Sequence, residues 1–116
     1  MTIWQGSLPR WKYVEADGTQ LSGKTTATAV LVLGLERDGT VFSFVNNTDK
    51  EIEVMMTSPN DESQTKYTFV RVAPGFGFHS ETLNAGGIFG ILAGTKIYLH
   101  SNNATVSGKF RIFVWG

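Results

Sequence analysis

Three consecutive stretches near the end of the chain decide how the rest is read: Leu92-Ala-Gly-Thr-Lys-Ile-Tyr-Leu-His-Ser101, Asn102-Asn-Ala-Thr-Val-Ser-Gly108 and Lys109-Phe-Arg-Ile-Phe-Val-Trp115. Two β-rich runs flank a polar loop closed by Gly108, the pattern of a hairpin with a long loop. In the last run Phe110, Ile112 and Val114 share one strand face, because side chains alternate with a period of two. Lys109, Arg111, Phe113 and Trp115 take the other, which is charged at one end and aromatic at the other. The first face belongs in a core. The second is expected to be covered at its aromatic end only.

Upstream, the chain repeats this logic. Thr25–Leu35 reads as a strand whose apolar end, Val30-Leu-Val-Leu33, suggests burial on both faces. Glu36-Arg-Asp-Gly39 is a turn, and Thr40–Val45 sets Val41 and Val45 against Phe42 and Phe44. Asn46-Asn-Thr-Asp-Lys50 reads as a second turn. Glu51–Thr57 alternates, with Glu51, Glu53 and Met55 opposite Ile52, Val54 and Met56, which predicts a half-exposed antiparallel strand whose glutamates blunt an edge. Ser58–Lys66 is a polar surface loop with the composition of a mobile tip. Tyr67–Ala73, a run ending near Glu81, and Ile88–Leu92 complete the strands. The total is roughly seven to eight short strands with no helical period. Thirteen glycines suit a chain that turns this often. The expected fold is an all-β antiparallel sandwich, jelly-roll or immunoglobulin-like, over residues 26–116.

Residues 1–25 lack a steady period. Trp4 and Trp11 sit among Gly6, Pro9 and polar residues, with a tight-turn signal at Asp17-Gly18 between Trp11–Glu15 and Thr19–Leu21. The segment is expected to be extended. Two readings stand: it lies across its own core, or it is an arm that docks on another subunit.

Composition bounds the function. At 116 residues the chain is one domain with one core. Ten basic residues balance ten acidic ones, which argues against a general nucleic-acid binder and against a polybasic membrane patch. No apolar run has the length of a membrane span, and the N-terminus lacks the features of a secretory signal. With no cysteine there is neither a disulfide framework nor a thiolate metal site. Near-zero charge also suits a protein that assembles.

No catalytic constellation is written in the residues, and no cofactor or metal is expected. His79 and His100 are two ligands where zinc needs three or four, even with Glu81 counted, and surface or interface histidines are the expectation. Ser and His occur without a Gly-x-Ser-x-Gly elbow. Glu51 and Glu53 read as a solvated face rather than a glycosidase pair. Pro74–Gly77 and Ala85–Gly90 lack the lysine and following helix of a phosphate loop. Asn46-Asn-Thr48 and Asn103-Ala-Thr105 match the glycosylation pattern but stand without a secretory signal. What remains is a surplus of aromatic residues. Trp4, Trp11, Phe76, Phe78, Phe89, Phe113 and Trp115 exceed what one small core holds. A sugar-binding platform or a subunit interface would use such rings, and the scarcity of acidic and amide residues near them favours the interface.

Phe44-Val-Asn-Asn-Thr-Asp49, Val72-Ala-Pro-Gly75, Leu92-Ala-Gly-Thr-Lys-Ile-Tyr98 and Ser107-Gly108 before a final strand resemble small β-sandwich virion proteins of tailed bacteriophages, over residues 40–116. That resemblance implies a non-enzymatic virion component: a head-decoration or cement protein that binds the major capsid protein or tail subunits, assembled as a homotrimer. The alternative it leaves open is a tail- or fibre-associated module that binds a receptor or carbohydrate. On either reading Trp4, Trp11, Phe76, Phe78, Phe113 and Trp115 are the candidate interface residues.

Overall fold

The structure is a computed structural model that describes the backbone at residues 3–8 and 11 and the chain in full at 12–80 and 90–115. Nine strands are described: β1 (Ile3–Leu8), β2 (Trp11–Asp17), β3 (Val30–Gly34), β4 (Val41–Thr48), β5 (Ile52–Thr57), β6 (Lys66–Val72), β7 (Gly77–His79), β8 (Lys96–His100) and β9 (Gly108–Trp115). They form a five-stranded sheet in the order β1-β2-β9-β4-β7 and a four-stranded sheet in the order β3-β8-β5-β6. Every pairing is antiparallel.

The pairings nest. β5 pairs with β6, β4 with β7, β3 with β8 and β2 with β9. This is one long antiparallel ribbon rolled up on itself, so that alternate pairs fall in opposite sheets. Of the two sandwich topologies expected, the observed one is therefore the jelly roll.

The last two strands make the roll. Read as a hairpin, β8 and β9 would be neighbours. Instead β8 lies between β3 and β5 while β9 is the centre of the other sheet, between β2 and β4. Residues 101–107 carry the chain from one sheet to the other. Gly108 sits at the landing point with φ of +93°, where a Cβ would come 2.3 Å from the Asn47 carbonyl oxygen. Only glycine combines that dihedral with so close an approach.

The core lies between the sheets. β9 contributes Phe110, Ile112 and Val114, β4 Phe42 and Phe44, β5 Ile52 and Val54, and β8 Ile97 and Leu99, all buried. The inward positions read from alternation on β4, β5 and β9 are the buried ones. Phe69 and Phe78 close one side of the sandwich, their rings edge to face at 5.2 Å, with Phe42 5.7 Å from Phe69.

Several expectations are revised. Ile3–Leu8 and Trp11–Asp17 are two sheet strands rather than an unpatterned extension, and Val14, Ala16 and Leu21 belong to the core. Asp17-Gly18 opens a 3-10 turn over Gly18–Leu21 in place of a hairpin loop. The Thr25–Leu35 run is strand only from Val30. Thr25 to Thr28 form a turn, with Thr28 N donating to Thr25 O at 3.1 Å and Thr25 N to Thr28 Oγ1 at 2.8 Å. β3 is an edge strand with an irregularity between Leu31 and Leu33, so Leu31 is exposed while Val32 and Leu33 are buried. β5 is interior to its sheet, so Glu53 guards no edge, and Glu51 lies before the strand. The polar tip at 58–65 is pinned by Asp61, whose carboxylate accepts hydrogen bonds from Ser63 N at 2.9 Å and Thr65 N at 3.3 Å. No helix among the described residues is long and apolar enough to cross a membrane.

Candidate functional site

The residues predicted to act at an interface divide four ways. Phe78 is half-buried against Phe42 and Phe69, so part of its ring belongs to the sandwich wall. Phe76, on the turn before β7, is 67% exposed. Phe113 and Trp115 stand two apart on β9, facing away from the core, with ring centroids 6.4 Å apart and planes inclined by 24°. For Trp4 and Trp11 only the backbone is described, in β1 and β2, and the register places Trp4 opposite Glu15 and Trp11 opposite Trp115. Glu81 and Phe89 lie outside the described residues.

The outward face of the five-stranded sheet gathers these features. Alternation fixes its membership: with Val14, Ala16, Phe110, Ile112, Phe42 and Phe44 inward, the residues between them point out. At its middle a shallow groove of about 260 Å³ is lined by Tyr13, Ser43, Val45, Arg111 and Phe113. Tyr13 Oη donates to Glu15 Oε2 at 2.8 Å. Burial, with the Glu15 carboxylate beside it, raises the phenol above its ordinary range. Lys109 Nζ lies 3.9 Å from Glu15 Oε1. Arg111 is directly opposite Glu15 in the register, yet no carboxylate among the described residues pairs with it. At the edge of the same face Ser43 Oγ and His79 Nδ1 share a hydrogen bond at 2.7 Å, a contact between strands that pair at those two residues. His79 is thus an exposed histidine, as expected.

His100 is not. It is 1% exposed, and its register partner on β5 is Glu53, itself buried, which overturns the reading of Glu53 as a solvated face. Glu53 Oε1 accepts from Thr68 Oγ1 at 2.7 Å and Glu53 Oε2 from Arg71 Nε at 2.9 Å. His100 Nε2 stands 3.3 Å from Glu53 Oε1, too poorly aligned for a hydrogen bond. Burial pushes the Glu53 carboxyl upward, but the hydrogen bonds from Thr68 and Arg71, with His100 beside them, outweigh it and leave the pKa below its ordinary value. Sequence pattern could not show this cluster, because its members come from three strands whose pairing it does not reveal.

Asn46 is a second residue that sequence reasoning missed. Read as a turn residue and glycosylation acceptor, it is instead fully buried at the end of β4. Its Nδ2 donates to Lys50 O at 2.8 Å and to Val72 O at 2.9 Å, and its Oδ1 accepts from Thr48 N at 2.9 Å. An amide so enclosed has no room for a glycan. Among the described residues no group of three or more His, Cys, Asp or Glu comes together.

No family model and no curated protein matches this chain. Solved structures do. Hydroxypropylphosphonic acid epoxidase from S. wedmorenis aligns with a TM-score of 0.51 at 13% identity, over 92% of this chain and 44% of that one. FeII HppE in complex with substrate aligns with a TM-score of 0.55 at 12% identity, over 98% of this chain and 53% of that one. The chain therefore spans about half the length of the proteins it superposes on. At such identities the likeness is one of fold: a rolled β-sandwich that serves unrelated functions.

Proposed function

We propose that this chain is a non-enzymatic structural protein of a virion, a decoration or cement module that works by packing against other virion subunits. The observation that carries this reading is the apolar surface that the jelly roll leaves outward. Phe113 and Trp115 stack on one sheet face beside Tyr13 and Val45, while Leu31, Tyr67, Phe76 and Leu92 are exposed elsewhere. Single exposed apolar residues are ordinary, but adjacent rings on a strand centred in its sheet form a patch of the kind that marks interaction sites. The phage-like segments around Asn46, Pro74, Leu92 and Gly108 supply the virion context as a resemblance.

The test is mass spectrometry of purified particles with copy-number determination. Hundreds of copies per particle are expected for capsid decoration. A handful would move the protein to the tail, and absence from particles would overturn the reading. Phe113→Ala and Trp115→Ala chains that fold normally should each incorporate less well.

A further inference from the structure

We propose that the outward face of the five-stranded sheet is a two-fold interface with a second copy of this chain, its axis running along the seam between β2 and β9. The proposal rests on the reading that this protein works by assembly, and it names the first partner as the chain itself.

The argument is one of register and charge. On that face β2 carries Tyr13, Glu15 and Asp17, and β9 carries Phe113, Arg111 and Lys109. The two strands pair so that Glu15 is level with Arg111, Asp17 with Lys109 and Tyr13 with Phe113. The acids thus all lie on one strand and the bases all on its neighbour. A two-fold axis parallel to the strands and above the seam carries β2 of the second copy over β9 of the first, at the same height. By symmetry the reverse contact forms at once. Glu15 then meets Arg111, Asp17 meets Lys109 and Tyr13 meets Phe113, each pair twice. An axis above β9 itself would instead set Arg111 against Arg111.

Two further observations fit. Arg111 lies beside the Tyr13 hydroxyl in the groove without a carboxylate, because its cross-strand neighbour Glu15 is turned toward Tyr13 and Lys109. A second copy brings another Glu15 to that guanidinium. The area is also sufficient. An axis over the β2–β9 seam superposes four strands of each copy, β1, β2, β9 and β4. About 4.8 Å apart, with an eight-residue β9 at about 3.3 Å per residue, they make a face of roughly 500 Å² per copy, about 1,000 Å² in all, the threshold for a specific interface. Sheets stack face to face at about 10 Å with strands about 30° apart, which keeps long charged side chains within reach of each other.

The test is sedimentation equilibrium of the full chain and its charge-swapped variants. The parent is expected to be a dimer. Glu15→Arg and Arg111→Glu should each weaken it by at least about tenfold, and the double variant should return to within about threefold of the parent. A parent that stays monomeric at about 0.5 mM, or that forms a trimer, would overturn the proposal, as would a double variant no better than the singles. If either single variant fails to fold, cross-linking decides. In a mixture of isotope-labelled and unlabelled parent chains, a carbodiimide should couple the Lys109 amine of one isotope to the Asp17 carboxylate of the other, because the two side chains together span the gap between the sheets. Coupling within single chains only would refute the axis. Incorporation into particles is scored separately. A monomer found on particles sinks the dimer and leaves the virion role standing, and a dimer absent from particles does the reverse.

Discussion

Glu53 and His100 face each other across adjacent strands of the four-stranded sheet, 3.3 Å apart, on the side turned away from the main core, yet both are buried. Thr68 and Arg71 from β6 complete the enclosure of the carboxylate. The arrangement makes stability depend on the charge of one side chain.

Glu53 has a folded-state pKa below its ordinary value. A depressed carboxylate contributes stability that is present above the unfolded pKa of about 4.3 and is lost as pH falls through the folded value. Glu53→Gln is therefore expected to destabilise the chain by roughly 1–3 kcal/mol at pH 7. The difference from the parent should narrow as pH drops below about 4. Urea unfolding at pH 7 and pH 3 checks this, and a gap that stayed constant would mean that Thr68 and Arg71 do not recognise the charge.

Ile112 is fully buried at the centre of β9, with Val14 and Phe44 as its register partners on either side. Ile112→Val should cost ~1 kcal/mol and Ile112→Ala ~2–5 kcal/mol. An alanine variant that melts with the parent would mean the strand is out of register by one residue, which would turn this side chain to the opposite face.

Asn46 satisfies two carbonyls and one amide, and its bonds to Val72 O and from Thr48 N are buried. Asn46→Leu would leave Val72 O and Thr48 N without that partner, and the expected cost is about 3 kcal/mol. Chemical denaturation measures it. A neutral outcome would show that the end of β4 opens to solvent more readily than its burial implies.

Deleting residues 2–15 would remove β1 and most of β2 and strip β9 of one of its two neighbours. The expected outcome is loss of cooperative thermal unfolding in the isolated chain, followed by circular dichroism. A truncated chain that melted like the parent would restore the reading of this segment as an arm for docking on another subunit.

Much of the strand content was legible because burial on one face leaves a period of two, and Phe110, Ile112, Val114, Ile52 and Val54 kept that period through to the core. That Phe113 and Trp115 share the outward face of β9 was legible for the same reason, but the cover expected over that aromatic end is incomplete: Phe113 is half-buried and Trp115 is exposed. Turn residues were less reliable. Asn46-Asn-Thr reads as a loop in any sequence window, and only the enclosure of Asn46 by Lys50 and Val72 turns it into a strand end. The N-terminal strands were hidden because Trp4 and Trp11 interrupt the alternation that would have announced them.

By itself the sequence determined which faces are apolar, that the chain is all β, and that the absence of cysteine leaves core packing rather than disulfides to hold it. Those properties are local, written in the alternation of neighbouring residues and in composition. Tertiary structure alone decided that β8 and β9 part into different sheets, that Glu53 meets His100, Arg71 and Thr68, and that the acids of β2 lie level with the bases of β9. Each of these depends on strand pairing between residues far apart in the chain. Pairing is chosen by the burial of whole sheets against each other, a sum over the domain that no single stretch contains.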